Sequence, residues 1–330
     1  MPQLLASWRR AVALLCCACA IPAAASAAPA GDYPNRPVRL VVGFPAGGGV
    51  DLTARLLAAE LGKRIGQTVV VENRTGAAGA IGAGLVASAP ADGYTLLLGN
   101  TGSITINPQL YPQLSYDPVK SFTPVGMVSQ SPLLILVNPN SPAKDLAGFK
   151  AQAGKASQEL TFGSGGAGSI GHLTGELFAR NAGVTLVHVP YRGGSPAVTD
   201  LMGGQVDMVV EGIPISAPLV QTGKLRALLV TSKERLPTIK DVPTAAEAGM
   251  KDFEIDVWYG VLAPAGTPPE IVAFLNRHIN EALAARDMQA RLAEQGAIAV
   301  PGTPQALSDV IGKELTRWQA VVKQADVKVQ

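Results

Sequence analysis

Cysteine is nearly missing from this chain of 330 residues, and the three present, Cys16, Cys17 and Cys19, crowd into one apolar N-terminal stretch. Once that stretch is removed, nothing is left for a disulfide, a catalytic thiolate or a thiolate-held metal. Histidine is equally scarce: His172, His188 and His278 are scattered along the sequence, and no H-E-x-x-H or paired-carboxylate spacing occurs. Neither a metal nor a cofactor is therefore expected. Net charge is small too, with 27 Lys and Arg against 25 Asp and Glu, and two of the bases, Arg9 and Arg10, belong to the same N-terminal stretch. A balanced remainder carries no electrostatic footprint for nucleic acid or an anionic membrane surface. After Ala30 no apolar run approaches the roughly 20 residues needed to span a bilayer.

The N-terminus is informative in what it does contain. Arg9 and Arg10 precede the apolar run Ala11 to Ile21, and small residues continue to Ala25-Ser26-Ala27. That order is the one of a Sec signal peptide, with cleavage expected after Ala27 and a periplasmic destination. A membrane anchor would need a longer run. Leu14-Leu15 before Cys16 lacks the small residue of a lipid-acceptor site, and Ser7-Trp8-Arg9-Arg10 matches a twin-arginine signal poorly.

Beyond the leader, strand and helix signals alternate. Val38 to Val42, Thr68 to Val71 and Thr95 to Leu98 read as strands, separated by helical patterns over Leu52 to Leu61 and Ala78 to Ser88. The grammar repeats with strands at Leu133 to Val137, Leu160 to Phe162, Leu186 to Val189 and Met208 to Val210, and helices at Leu146 to Ala153, Ile170 to Asn181 and Pro196 to Met202. Strands over Leu225 to Val230 and Val257 to Leu262, a short helix over Pro243 to Gly249, and helices Pro268 to Ala285 and Pro304 to Gln324 complete the chain. Repeated βα alternation predicts an α/β protein with two lobes, each a mainly parallel sheet flanked by helices. The expected partition is a signal at 1–27, the first part of lobe 1 at 28–130, lobe 2 at 131–228, and a return crossing that completes lobe 1 at 229–330.

The glycines are concentrated where strands hand over to helices. Gly47-Gly48-Gly49 follows Phe44-Pro45-Ala46 and opens the helix containing Asp51. Ser164-Gly165 through Gly168-Ser169 leads into the helix bearing His172, and Tyr191-Arg192-Gly193-Gly194 into the next. In a parallel sheet the ligand crevice lies beyond the carboxyl ends of the strands, where helix N-terminal amides are unpaired. Glycine lets an anion approach those amides and tolerates the φ that such a nest requires. A tight turn capped by Asp51 or Thr53 would explain one glycine, but three in a row exceed what turning requires.

Other readings are weaker. Gly163, Gly165 and Gly168 fit G-x-G-x-x-G, but His188 to Tyr191 offers no acid where a dinucleotide ribose would need one. Gly193-Gly194-Ser195 resembles a nucleophile elbow, yet Pro196 removes the amide that would form half of an oxyanion hole. A secreted hydrolase using Ser195 or Ser164 stays as the enzymatic alternative. Asn100, Thr101 and Ser103 follow a strand and border the crevice, either as ligand contacts or as loop caps. Glu211 also ends a strand, as a solvated acid or as a contact for a ligand ammonium; Asp51 reads more as a cap. Trp258 and Tyr259 are either core residues or a stacking surface.

The order of YPNRPVRLVVGFPAGGGVDLTAR, VVVENRTGAAGAIGA, ADGYTLLLGNTGSITINPQLY, TFGSGGAGSIGHLTGELF, VPYRGGSPAVTDLMGGQVDMVV and WYGVLAPAGTP closely resembles the Bug or TctC family, the substrate-binding proteins of tripartite tricarboxylate transporters. The resemblance runs from Tyr33 to the C-terminal helices. It implies a periplasmic binding protein of the type II, Venus-flytrap kind, monomeric and non-enzymatic, that closes on a small carboxylate and delivers it to membrane permease subunits. It implies ligand contacts at Phe44, Ala46 and Gly47 to Gly49 in one lobe, and in the other at loops matching Ser164, Gly165, Ser169, His172, Tyr191, Arg192, Gly193 and Gly194. Ligands across the family include di- and tricarboxylates, acidic amino acids and aromatic acids. A receptor that presents its ligand to a membrane sensor is a further possibility that sequence does not separate from transport.

Overall fold

A computed structural model describes residues 33–155, 159–191 and 193–325. The expected signal at 1–27, with all three cysteines, lies outside them, as does Arg192. The first βα units form as their patterns require. Strand β1 (Val38–Val42) runs through the glycine triplet into helix α1 (Gly49–Ile65), whose Val50, Ala54, Leu57, Leu61 and Ile65 face inward at helical spacing. Gly66, in the left-handed region at φ 68°, ends it. There follow β2 (Val69–Asn73), a 3-10 turn at Ala77–Gly79, α2 (Ala80–Ala87) and β3 (Thr95–Asn100), then a π-helical segment, Thr101–Ile106, continued by α3 (Asn107–Leu110).

Strand β4 (Phe122–Val137) is the pivot of the architecture. From Phe122 to Pro132 it pairs with β9 (Asp256–Pro264), from Leu133 to Val137 with β7 (Met208–Gly212), and from Leu134 to Val137 with β8 (Arg226–Val230). Between these lie α4 (Leu146–Lys155), β5 (Leu160–Ser164), α5 (Ile170–Ala182), β6 (Leu186–Pro190), α6 (Gly194–Met202) and α7 (Ile213–Gln221). Helices α8 (Pro269–Leu283) and α9 (Arg286–Glu294), the short β10 (Ile298–Ala299) and α10 (Pro304–Ala325) follow β9.

The strand order is β2-β1-β3-β9-β4-β7-β5-β6, with β8 and β10 also on β4. The fold is thus α/β and two-lobed, but each sheet is mixed. Pairing is parallel in β2-β1-β3 and in β6-β5-β7, and antiparallel wherever β4 and β9 take part. The physical reason is that the chain passes between lobes along one long strand and returns along another, and a strand out beside a strand back must be antiparallel. The shorter reading of β4, from Leu133, missed its first half because Pro124, Gly126 and Pro132 interrupt the apolar pattern. Two register shifts in the pairing with β9 absorb that irregularity.

One further local expectation changes, and two helices are additional. Pro243 to Gly249 forms turns instead of a helix, fixed by the Glu247 carboxylate accepting from the Thr244 amide at 2.8 Å. Helix α7 was unforeseen because prolines stand both in its first turn and at Pro218. Helix α9 was hidden because Met288 and Leu292 are its only core side chains.

Where the two crossings meet, Thr231 fastens both. Its amide donates to the Leu133 carbonyl, and its hydroxyl accepts from the Leu133 amide at 2.8 Å and donates to the Ile255 carbonyl. The Ile255 amide in turn donates to the Thr231 carbonyl.

Candidate functional site

Both lobes and both crossings contribute to one cavity of about 420 Å³. One wall is Gly47, Gly48 and Gly49 with Leu52 and Thr53 from the first turns of α1. The facing wall is Ile170, which opens α5, and Glu211, Gly212, Pro214 and Ile215, where β7 passes into α7. Ser131, Leu133, Val257 and Tyr259 of the crossing strands form the floor, with Gln295 and Ala297 beside it. The volume suits a small organic molecule rather than a dinucleotide.

The glycine loop is built around Asp51. Its carboxylate is 1 % exposed and takes the Gly47 amide and Arg55 Nε on Oδ2, each at 2.9 Å, and Asn73 Nδ2 on Oδ1 at 2.9 Å. Asn73 Nδ2 also donates to the Phe44 carbonyl, tying the loop to β2. Burial alone would raise the Asp51 pKa, but the bonds from Arg55, Gly47 and Asn73 outweigh it and hold the carboxyl down at about 2. Gly47 has φ 84°, a conformation costly to other residues, so glycine is required there. No side chain caps α1 at Gly48, which leaves first-turn amides of a 17-residue helix unspent at the cavity wall. A Cβ on Gly49 would lie 3.3 Å from the Tyr259 hydroxyl, so that phenol stands directly against the loop. Burial pushes the Tyr259 pKa up to about 12 and keeps it a neutral donor.

The opposite wall carries the cavity's acid. Glu211 Oε1 accepts from the Gly212 amide at 2.8 Å, and burial raises its pKa against that bond. Neither lysine nor arginine lines the cavity among the described residues.

Of the residues expected from sequence, Gly47, Gly48, Gly49 and Glu211 line the cavity. Phe44 packs on Gly79 outside it, Ala46 is exposed, and Asp51 lies behind the loop. Asn100 and Ser103 are buried in a reciprocal cap of the π-helical segment, and the buried Thr101 hydroxyl accepts from the Trp258 amide at 3.0 Å. Tyr191 donates its hydroxyl to Asp200 at 2.7 Å, and Gly193 and Gly194 open α6. Gly165 packs beside these glycines, a Cβ there lying 3.4 Å from the Gly194 amide. Sequence reasoning missed Ser131, Ile170, Gln295 and the apolar lining. Gln295 has no local signal, although its buried Oε1 lacks a hydrogen-bond partner among the described residues.

Ser164, Ser169, His172 and His188 form a separate cluster. Ser164 Oγ is 2.7 Å from His188 Nε2, the two imidazoles stack at 3.6 Å, and the Gly168 amide donates to His172 Nδ1 at 3.0 Å. Ser169 caps α5 through the His172 amide. Burial, then the neighbouring His172, lowers the His188 pKa to about 4, so a neutral ring faces Ser164. This spacing suits a serine and its base. The Ser164 side chain is fully buried, however, and does not line the cavity.

A two-lobed α/β architecture with its cavity between the lobes defines the periplasmic binding protein class. The sequence model for the tripartite tricarboxylate transporter family receptors (TctC) matches residues 53–327, and the chain belongs to that family. It is 39 % identical over 302 residues to the protein BugT of Bordetella pertussis, covering 91 % of this chain and 93 % of BugT. Among solved structures, an R. palustris protein with adipate is 39 % identical at a TM-score of 0.78, covering 90 % of this chain and 99 % of that one. MatC from Rhodopseudomonas palustris with bound malate is 38 % identical at a TM-score of 0.74, covering 88 % and 100 %. A solute-binding role follows from this membership. Among the described residues no helix is long and apolar enough to cross a membrane.

Proposed function

We propose that the protein is a periplasmic receptor that captures a small organic carboxylate between its lobes and delivers it to the permease of a tripartite tricarboxylate transporter. The observation that carries this reading is the uncapped start of α1, presented by three glycines to a cavity that the other lobe also walls. A helix start contributes about 0.3 to 1 kcal/mol toward an anion, and each charge-assisted hydrogen bond about 1.5 to 3. Several amides with the Tyr259 hydroxyl thus approach the roughly 8 kcal/mol of a micromolar complex without a cationic side chain. Similarity to proteins solved with malate and adipate supports a carboxylate ligand.

Capture works by closure. The two lobes turn about the paired crossings at Thr231, and the ligand favours the closed arrangement because only there do both walls reach it. The protein acts as a monomer, and it catalyses nothing, which the sealed Ser164 and the proline after Ser195 support. A thermal-shift screen of the mature protein against carboxylates tests the proposal, since a ligand of the native state must raise the melting temperature. If no carboxylate raises it, the proposal fails.

A further inference from the structure

The cavity is electrically lopsided. At the α1 end everything offered to a ligand is a neutral or partly positive donor: helix amides and a phenol. At the other end stands a carboxylate. Glu211 is placed there by a specific accommodation, because a Cβ on Gly194 would come within 1.5 Å of Glu211 Oε2. Glycine at 194, the first residue of α6, leaves that space to the Glu211 carboxylate. Glu211 therefore occupies the space over the start of α6, the very place where a second ligand carboxylate would find helix amides. Its Oε1 is engaged by the Gly212 amide, while Oε2 accepts a hydrogen bond from no described residue, and Glu211 forms no ion pair with one. The remaining wall on this side, Ile170, Pro214 and Ile215, is without charge.

We infer that Glu211 sets the ligand class: the protein takes a carboxylate that also bears an ammonium group, an amino acid, with its carboxylate at Gly47 to Gly49 and its ammonium on Glu211 Oε2. This rests on the carboxylate-receptor reading and narrows it. A plain dicarboxylate would bring its second anion against the half-buried Glu211 carboxylate, where like charges repel more strongly than in open water. An ammonium there meets an acceptor already fixed by Gly212 and supplies the partner that Oε2 lacks. Specificity in this arrangement comes as much from repelling the wrong ligand as from holding the right one.

The test is calorimetry on the mature protein with matched probes: L-glutamate against glutarate, L-aspartate against succinate, and γ-aminobutyrate. The wild type should bind the amino compounds at least tenfold more tightly than their deamino partners. Glu211→Gln should weaken the amino compounds at least tenfold and leave glutarate and succinate unchanged or tighter; Glu211→Asp, which keeps the charge, should keep the preference. Melting curves of both variants check folding, and the wild-type ranking stands independently of either. Wild-type affinity for glutarate or succinate equal to that for the amino compounds, with Glu211→Gln neutral, would overturn the inference and leave the receptor reading intact. Tighter dicarboxylate binding that weakens from pH 6 to 8 would overturn it too, by showing that a protonated Glu211 donates to a second carboxylate. Absence of binding by every carboxylate removes the receptor reading and the inference with it.

Discussion

Asp51 is the residue on which the glycine loop most depends, and replacing it with asparagine tests that dependence. The side chain keeps its size but loses its charge, and an amide group now faces donors at Gly47, Arg55 and Asn73. A carboxyl moved from 3.8 to about 2 in the folded state corresponds to at most about 2.5 kcal/mol, at 1.36 kcal/mol per pKa unit. Two features reduce this. The Arg55 side chain is 52 % exposed, so salt and water screen its share, and the loop over Asp51 is itself exposed, so the protein covering the carboxylate is thin. A loss of about 1 to 2 kcal/mol is expected at pH 7. The sign of the pH dependence follows from the lowered pKa: the stabilisation is complete above 3.8 and is lost as pH falls through 2. Urea unfolding of both proteins at pH 7, 4 and 3 measures it, and the gap should be about half closed by pH 3. The variant should also bind its carboxylate more weakly, because the Gly47 amide is no longer anchored. A stability gap of the same size at pH 3 and pH 7 would refute the electrostatic account.

Gly48→Ala should leave the melting temperature nearly unchanged, since Gly48 has an ordinary extended φ of −80° and the nearest atom to an added Cβ is Pro45 O at 3.6 Å. Its affinity for the carboxylate should fall about tenfold by calorimetry, equal to about 1.4 kcal/mol; unchanged affinity would mean that the ligand does not approach this loop. Thr231→Val leaves the Leu133 amide and the Ile255 carbonyl buried without the hydroxyl, a loss of about 2 to 4 kcal/mol in urea unfolding. Asp256, at the start of β9, has its pKa raised to about 7 by burial and then by Glu314 and Glu254, against Arg317. The stability linked to its protonated form is complete below 3.8 and is lost as pH rises through 7. Asp256→Asn should therefore raise the melting temperature at pH 8 and change it little at pH 4; parallel pH profiles would refute this.

Much of the fold was legible because βα units announce themselves locally. Apolar runs, helical spacing and glycines at their junctions place β1, α1, β5, α5, β6 and α6 within a few residues. The crossing strands were less so, because Phe122 to Pro132 owes its extended state to β9, a partner more than 120 residues away. For the site, local grammar located the loops but not their facing sides. Gly47 to Gly49 and Glu211 line the cavity, whereas Thr101, Ser103 and Ser164, equally polar and equally well placed at strand ends, turn inward to satisfy the backbone and His188. Which way a strand-end side chain turns depends on whether a buried partner waits behind it, and that is a tertiary fact. Gln295 illustrates the converse: nothing around it in sequence is unusual, and only the packing of α9 beside the crossings brings it to the cavity.

On the proposed reading, a mature chain of balanced formal charge holds an anion and still discriminates. Fixed cations would attract every carboxylate alike. Amides fixed at a helix start act over one turn only and fade outside it, so they reward a carboxylate that docks against the loop and little else. Asp51 spends its charge orienting that loop, behind it and out of the ligand's reach, and Glu211 spends its own at the far wall. The two acids divide the work by what faces them. Asp51 meets Arg55 and Asn73 and stays ionised with its bonds made, whereas Glu211 meets no cation among the described residues, so a positive group on the ligand has a place to go.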